Sequence, residues 1–255
     1  MAGIRSLIVW LLLLNCSGIG AGEAAPTVLF MISEPEYQTE TTLPEFAAKE
    51  LTARGLRCLF AIANNKTPDD FPGLDTLPTV DLLVVSVRRQ APLKEQLALV
   101  RAHLAAGKPL LGIRTASHAF GANPKDEQHE GWMTFDQDVL GGSYKSHFGN
   151  VPAVLSLAPG AAAHPVLVGV DPTKITTERL YKNLTVAPTA TALLMRRSQD
   201  DSTDQFVAWV NTVGKSRVFY TSLGQPAEFQ NQDFRRLLTN AVFWAIDRTP
   251  PAPAP

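Results

Sequence analysis

Pro109-Leu-Leu-Gly-Ile-Arg-Thr-Ala-Ser-His-Ala-Phe120 is the stretch on which the fold turns. Leu110 to Ile113 is a short apolar run, the mark of a strand buried on both faces of a parallel sheet. Arg114 to His118 is small and polar apart from an arginine and a histidine four residues apart. A buried strand that breaks into such a turn delivers side chains to its carboxyl end, where open α/β sheets bind ligands.

Working upstream, strand and helix patterns alternate. Thr27 to Ile32 reads as the first strand, followed by Ser33 and Glu34. Thr42 caps a predicted helix with Pro44 in its first turn, running through Phe46, Ala47 and Leu51 to Gly55. Leu56 to Ile62 is a second strand, and 64–78 is a turn-rich connection. Val80 to Val87 is a third, ending in Arg88 and Arg89. A helix opened by Pro92 keeps helical spacing at Leu93, Leu97, Val100 and Leu104, and Gly107 closes it. The alternation predicts an α/β protein with a parallel sheet and right-handed crossovers.

Downstream the pattern loosens. Trp132 to Leu140 reads as a short helix ending at Gly141-Gly142, and 144–149 as a loop. Val151 to Leu157, Ala192 to Arg196, Gln205 to Asn211 and Arg217 to Ser222 are strand candidates, the last two joined in a hairpin at Val213-Gly214-Lys215. His164-Pro165 starts a short turn or helix. Asp233 to Ile246 is a closing amphipathic helix with Phe234, Leu237, Leu238, Ala241 and Trp244 on one face. The Pro/Ala tail, 249–255, reads as disordered.

Composition fits one domain, 26–248. The 255 residues are 45% hydrophobic, enough for a substantial core. Charged residues are 18% and the net charge is -1, with no polybasic face, so nucleic acid is not an expected partner. Arg5, the apolar run Leu7 to Leu14 and the small residues up to Gly22 have the layout of an export signal, 1–22. That run is short for a permanent membrane span. A lipoprotein role for Cys16 is disfavoured by Asn15 before it. Cleavage would place the mature protein in the periplasm or outside the cell, with Cys58 its lone cysteine, read as a small buried hydrophobe.

A helix starting just after Ile113 would leave the N–H groups of Thr115, Ala116 and Ser117 as an anion-friendly hollow. Arg114 would then hold a carboxylate, a phosphate or a sugar hydroxyl, unless it pairs with an acid. His118 is a candidate base or metal ligand, or a packing residue. His147 sits in a loop bounded by Gly141, Gly142 and Gly149. Should His147 meet His118 and a carboxylate such as Glu34, Asp126, Glu127 or Glu130, a divalent metal such as zinc becomes an option, though no HExxH or CxxC spacing supports it. One of Arg88 and Arg89 is expected to face the crevice. Tyr181 and Gln225 follow strand-like segments and are hydrogen-bonding candidates for a sugar. His129 reads as a solvated loop residue and His103 as a helix residue. Asn183-Leu184-Thr185 matches the glycosylation pattern, a frequent chance match. There is no G-x-S-x-G elbow, P-loop or dinucleotide fingerprint.

Five stretches together resemble the ThuA-like (trehalose utilisation) family. They are Ser86-Val-Arg-Arg, Gly107 through Phe120, Val139-Leu-Gly-Gly-Ser-Tyr144, Arg217-Val-Phe-Tyr-Thr-Ser-Leu-Gly224 and Leu237-Leu-Thr-Asn-Ala-Val-Phe-Trp-Ala245. The resemblance covers about Thr27 to Asp247 and is greatest to an exported branch common in planctomycete-type bacteria. It implies the class I glutamine amidotransferase-like, flavodoxin-like fold: a doubly wound, mostly parallel sheet with helices on both faces and a C-terminal hairpin and helix. True amidotransferases carry a cysteine at the elbow where this chain has Arg114, and a guanidinium cannot be the acyl-accepting nucleophile. The resemblance therefore implies a sugar or oxidised-sugar ligand, held by Arg88, Arg114, Thr115, Ser117, Tyr144, Tyr181 and Gln225. His118 and His147 would be catalytic or metal-binding groups of a hydrolase or isomerase. Lys145 and Gln225 stand where relatives commonly have histidine, which leaves a non-catalytic binding or scaffold module as the alternative.

Overall fold

A computed structural model describes residues 24–196 and 205–252. The expected export signal and the last residues of the tail, 253–255, lie outside the described residues. Of the tail, the Pro251 and Ala252 carbonyls accept hydrogen bonds from the Arg236 guanidinium.

The first half of the chain is strand, helix, strand: β1 (Thr27–Ser33), α1 (Thr39–Phe46), β2 (Arg57–Ile62), β3 (Leu82–Val87), α2 (Lys94–Ala105) and β4 (Leu110–Ile113). The second half adds β5 (Tyr144–His147), β6 (Leu155–Leu157), β7 (Tyr181–Asn183), β8 (Thr191–Arg196), β9 (Gln205–Val213), β10 (Ser216–Thr221) and α3 (Gln232–Ala245). Eight strands form one sheet in the order β2-β1-β3-β4-β10-β9-β8-β6. The run from β2 to β10 is parallel, and β9, β8 and β6 extend it antiparallel. The expected mostly parallel, doubly wound sheet is thus the observed one.

The apolar runs follow from burial on both faces. Val28, Phe30 and Ile32 join Leu43 and Phe46 of α1 and Leu237 and Ala241 of α3 in one core layer. Leu29 and Met31 join Leu97, Val100 and Leu104 of α2 in the other. Among the described residues no helix is long and apolar enough to cross a membrane.

Several local expectations shift. The first helix begins at Thr39 after Gln38, whose backbone is left-handed, and Thr42 is no cap: its hydroxyl donates back to the Gln38 carbonyl. Pro44 lies inside α1, and the helix continues as a wide π turn, Ala47–Leu51, before closing at Gly55 with φ 83°. Tyr144–His147 is a strand, not a loop, and pairs antiparallel with Tyr181–Asn183. His129 is buried rather than solvated, with Nδ1 donating to Asp126 at 2.5 Å and Nε2 3.5 Å from Asp69. Asn183 is fully buried, so its glycosylation pattern is a chance match.

Candidate functional site

Parallel strands end at one edge, and this edge collects the chemistry. β1 delivers Glu34, β3 delivers Arg88 and Arg89, β4 delivers the 3-10 turn Arg114–His118, and β10 delivers Ser222 to Gln225. The chain reverses its winding direction at β1 and β3, the switch point at which such sheets bind ligands. The β5–β7 ribbon brings Tyr144 and Tyr181 against His118, with ring centroids 4.7 and 5.7 Å from the imidazole. Five non-glycine residues have left-handed backbone among the described residues, and Arg89, Arg114 and Arg179 are three of them. Strain of this kind, about 1–3 kcal/mol per residue, persists where surrounding contacts enforce it and clusters at functional sites.

Arg114 is the main correction. Expected to hold a ligand, its side chain is fully buried beneath the crevice. Its terminal nitrogens donate to the Ser222 carbonyl (2.8 Å) and the Arg179 carbonyl (3.2 Å). The guanidinium carbon lies 4.0 Å from the centroid of Tyr37 and 5.0 Å from that of Tyr181. Glu228, itself buried, balances part of the charge while accepting from the Gly224 and Gln225 N–H groups and the Thr177 hydroxyl. Arg114 ties β4, β10 and the segment before β7 together. It contributes charge to the crevice but no exposed donor.

His118 is the polar group of the turn that is not closed off. Its Nδ1 is 3.1 Å from the Ser117 hydroxyl. Burial, then Arg89, Arg88 and Arg114 in that order, lower its pKa from 6.5 to about 3, so the ring is neutral at ordinary pH. Arg88 is paired with Glu36 at 2.9 Å. Arg89 is exposed, forms no ion pair among the described residues, and its charge acts on the Tyr144 hydroxyl. Its backbone N–H donates to the His118 carbonyl at 3.0 Å, stitching the β3 end to the β4 turn.

The other expected residues divide. Tyr144 is half-buried at the crevice, whereas Tyr181 is nearly fully buried, and burial raises the pKa of its hydroxyl. Thr115 and Ser117 are buried, Ser117 lying between the Arg114 carbonyl and His118. Gln225 is turned to structure, donating to the Glu178 carbonyl at 2.7 Å. His147 is exposed, its Nδ1 2.8 Å from the Phe148 carbonyl, and no hydrogen bond or ring contact joins it to His118 among the described residues.

Among the described residues, no group of three His, Cys, Asp or Glu side chains is arranged to hold a metal. The guanidiniums around His118 also repel a cation. The donor set therefore does not fit a zinc site built on His118 and His147.

Two residues of the site carried little sequence signal. Tyr37 lies beyond β1 in a loop, and its position after a parallel strand is the clue. Asp136 is buried behind Tyr144, and its Oδ2 accepts the Tyr144 N–H at 2.8 Å; burial raises its pKa from 3.8 to about 6. Beside the His118 crevice, a cavity of about 480 Å³ opens between the ends of β1 and β2, with Glu34 in its wall. Glu34 is almost wholly buried; its Oε1 accepts the Glu36 N–H, and Oε2 has no well-formed hydrogen bond. Burial raises the Glu34 pKa, opposed in part by the nearby Thr115 hydroxyl and by Arg88.

A parallel sheet wound both ways, with charged residues gathered at its switch point around the β4 turn, defines a flavodoxin-like α/β protein. More particularly, the chain belongs to the ThuA family, described as trehalose utilisation, whose family model matches residues 28–245. Its fold is similar to that of a ThuA-like protein from Bacteroides uniformis, at 15% identity over 91% of this chain and 99% of that one, with TM-score 0.62. A ThuA-like protein from Parabacteroides merdae is similar at 13% identity, 90% and 93% coverage and TM-score 0.62. A β-galactosidase from Bacillus circulans matches at 11% identity with TM-score 0.57, over 90% of this chain but 32% of its own. At these identities the likeness is one of fold. No curated protein matches the chain.

Proposed function

We propose that this chain is an exported ThuA-family protein that binds a carbohydrate bearing an acidic group, an oxidised sugar derivative, in the crevice over the β4 turn. One observation carries the reading: a neutral imidazole, His118, stands in the field of Arg88, Arg89 and Arg114 under the Tyr144 ring. A carboxylate placed there would relieve the repulsion among the guanidiniums, and Arg89 is free of acidic partners among the described residues. Tyr144 offers an aromatic face and a hydroxyl, as polar-ligand sites commonly do. The family's description as trehalose utilisation supports the sugar part of the reading. Export rests on the layout of residues 1–22, and the likeness to the planctomycete-type branch rests on the five stretches quoted above. Permanent membrane insertion and nucleic-acid binding form no part of the proposal.

Amidotransferase chemistry is excluded from the reading because Arg114 occupies the elbow. Cys58, a free and half-buried thiol, lies on β2, which β1 and β3 separate from β4. His118 serves first as a hydrogen-bonding group. A bound anion offsets the arginines and raises its proton affinity, so it becomes a base in the complex rather than in the free protein. Binding without turnover is the second reading. It is favoured by the depressed pKa of His118 and the burial of the Ser117 hydroxyl.

The test follows the His118 ring by NMR while D-gluconate, D-glucuronate or neutral D-glucose is added. The acids should shift its resonances and raise its pKa, and glucose should do neither at the same concentration. An unchanged His118 with both acids would overturn the assignment. Analysis of the recovered sugars for chemical change separates an enzyme from a binding module.

A further inference from the structure

The cavity of about 480 Å³ beside the crevice has walls of a different character. Its volume lies within the range of about 300–1,000 Å³ typical of small-molecule sites. Ile62 and Pro35 give it apolar surface, while Glu34, Glu40, Asn64, Asn65 and Gln90 give it polar groups, and no lysine or arginine lines it. It therefore does not complement an anion, unlike the crevice next door.

Asn65 and Gln90, two of its polar groups, have unfilled hydrogen-bonding capacity. Glu34 is about 98% buried, and its Oε2, without a well-formed hydrogen bond, has the Thr115 hydroxyl beside it. The Asn65 side chain forms no hydrogen bond among the described residues. Gln90 donates through Nε2 to the Arg88 carbonyl, which leaves its Oε1 open. Asn64, by contrast, is committed to the turn, bonding Lys66 and Thr67. Amide and carboxyl groups together offer donors and acceptors, as a hydroxyl requires because it both donates and accepts. An apolar strip such as Ile62 with Pro35 suits the C–H face of a ring.

Cavity and crevice share a wall. Glu34 lines the cavity while the Thr115 hydroxyl and the Arg88 charge act on its carboxyl group from the other side. Gln90 lines the cavity and directly follows Arg89, and its N–H is held by the Ala119 carbonyl of the β4 turn.

We infer that this cavity is a second subsite that takes a neutral, hydroxyl-bearing ring of the ligand, while the acidic end lies against Arg89 and His118. This rests on the anionic-sugar reading above and extends it from a single sugar acid to a two-unit one.

Isothermal titration with three probes tests it: gluconate carries the acid alone, lactobionate carries gluconate joined to a neutral galactose ring, and trehalose carries neutral rings alone. Lactobionate should bind about tenfold or more tightly than gluconate, as a few new hydrogen bonds would give. Asn65→Trp, at an exposed position, should fill the cavity and abolish that advantage while leaving gluconate affinity unchanged. Gln90→Ala should reduce the advantage in the same direction. Arg89→Ala should weaken both acids together. Equal binding of the two acids by the native protein, or an advantage untouched by both cavity substitutions, overturns the subsite and leaves the acid-binding reading standing. Failure of gluconate and lactobionate alike overturns both, as does trehalose binding as tightly as lactobionate.

Discussion

The guanidinium of Arg114 is stacked on Tyr37, 4.0 Å from ring centroid to central carbon, and the pair forms the floor of the crevice rather than its lining. A buried cation tolerates this position because its donors reach two carbonyls and a buried glutamate lies within its field.

Truncation to Arg114→Ala would leave the Ser222 and Arg179 carbonyls without these donors and Glu228 without the Arg114 charge that favours its ionised form. The expected loss is on the order of 3–5 kcal/mol, as for breaking a buried charged network from one side. Arg114→Lys keeps the charge but not the planar fork, and should fall between. Urea denaturation reads both. A native midpoint for Arg114→Ala would show that the guanidinium holds nothing together.

Arg89 acts on His118 from the exposed side and is the largest of the charge effects that lower its pKa. Arg89→Ala should therefore raise the His118 pKa above its value of about 3, still short of 6.5 because burial remains the leading cause. Arg88→Ala should raise it less, since Glu36 already offsets that charge. Imidazole titration by NMR decides the order, and a larger effect from Arg88→Ala would contradict this account.

The parallel half of the fold was legible because strands covered on both faces read as unbroken apolar runs, as Leu29 to Ile32 and Leu82 to Val85 do. The turn at Arg114 to His118 was legible for the same reason, since the end of such a run marks the edge where ligands bind. The fate of Arg114 was not. Its partners, Ser222 and Arg179, lie 108 and 65 positions away, and local sequence holds no trace of them. Tyr144–His147 is not legible as a strand because it is short and largely exposed, so it has no apolar alternation, and its partner begins at Tyr181. His129 reads as a loop histidine until Asp69 comes alongside.

Gly224 closes the turn after β10 with φ 139°, a conformation that side-chain-bearing residues rarely adopt. A Cβ there would come within 2.9 Å of Ile113 Cγ2 and 3.2 Å of Arg114 Cβ. Its N–H also donates to Glu228. Gly224→Ala should cost about 2 kcal/mol or more, combining backbone strain with displacement of the β4 turn. Denaturation gives the stability change, and the His118 resonances should move as well. Unchanged stability would mean that the turn relaxes freely.

Two buried groups pull stability in opposite directions over one pH range. His118 is neutral in the fold but charged in the unfolded chain below its ordinary pKa, so its contribution is complete above pH 6.5 and is lost as pH falls toward 3. Asp136 keeps its proton in the fold up to about pH 6, whereas the unfolded chain releases it near 3.8, so its contribution is greatest at low pH and is lost as pH rises from 3.8 to about 6. Each group alone gives a slope of up to about 1.4 kcal/mol per pH unit, and between pH 4 and 6 the two oppose each other. Asp136→Asn, which keeps an acceptor for the Tyr144 N–H, should expose the rising slope of His118. His118→Gln should expose the falling slope of Asp136, and the double variant should remove both. Urea midpoints measured at several pH values test this. Parallel curves for the two single variants would show that these groups do not set the pH dependence.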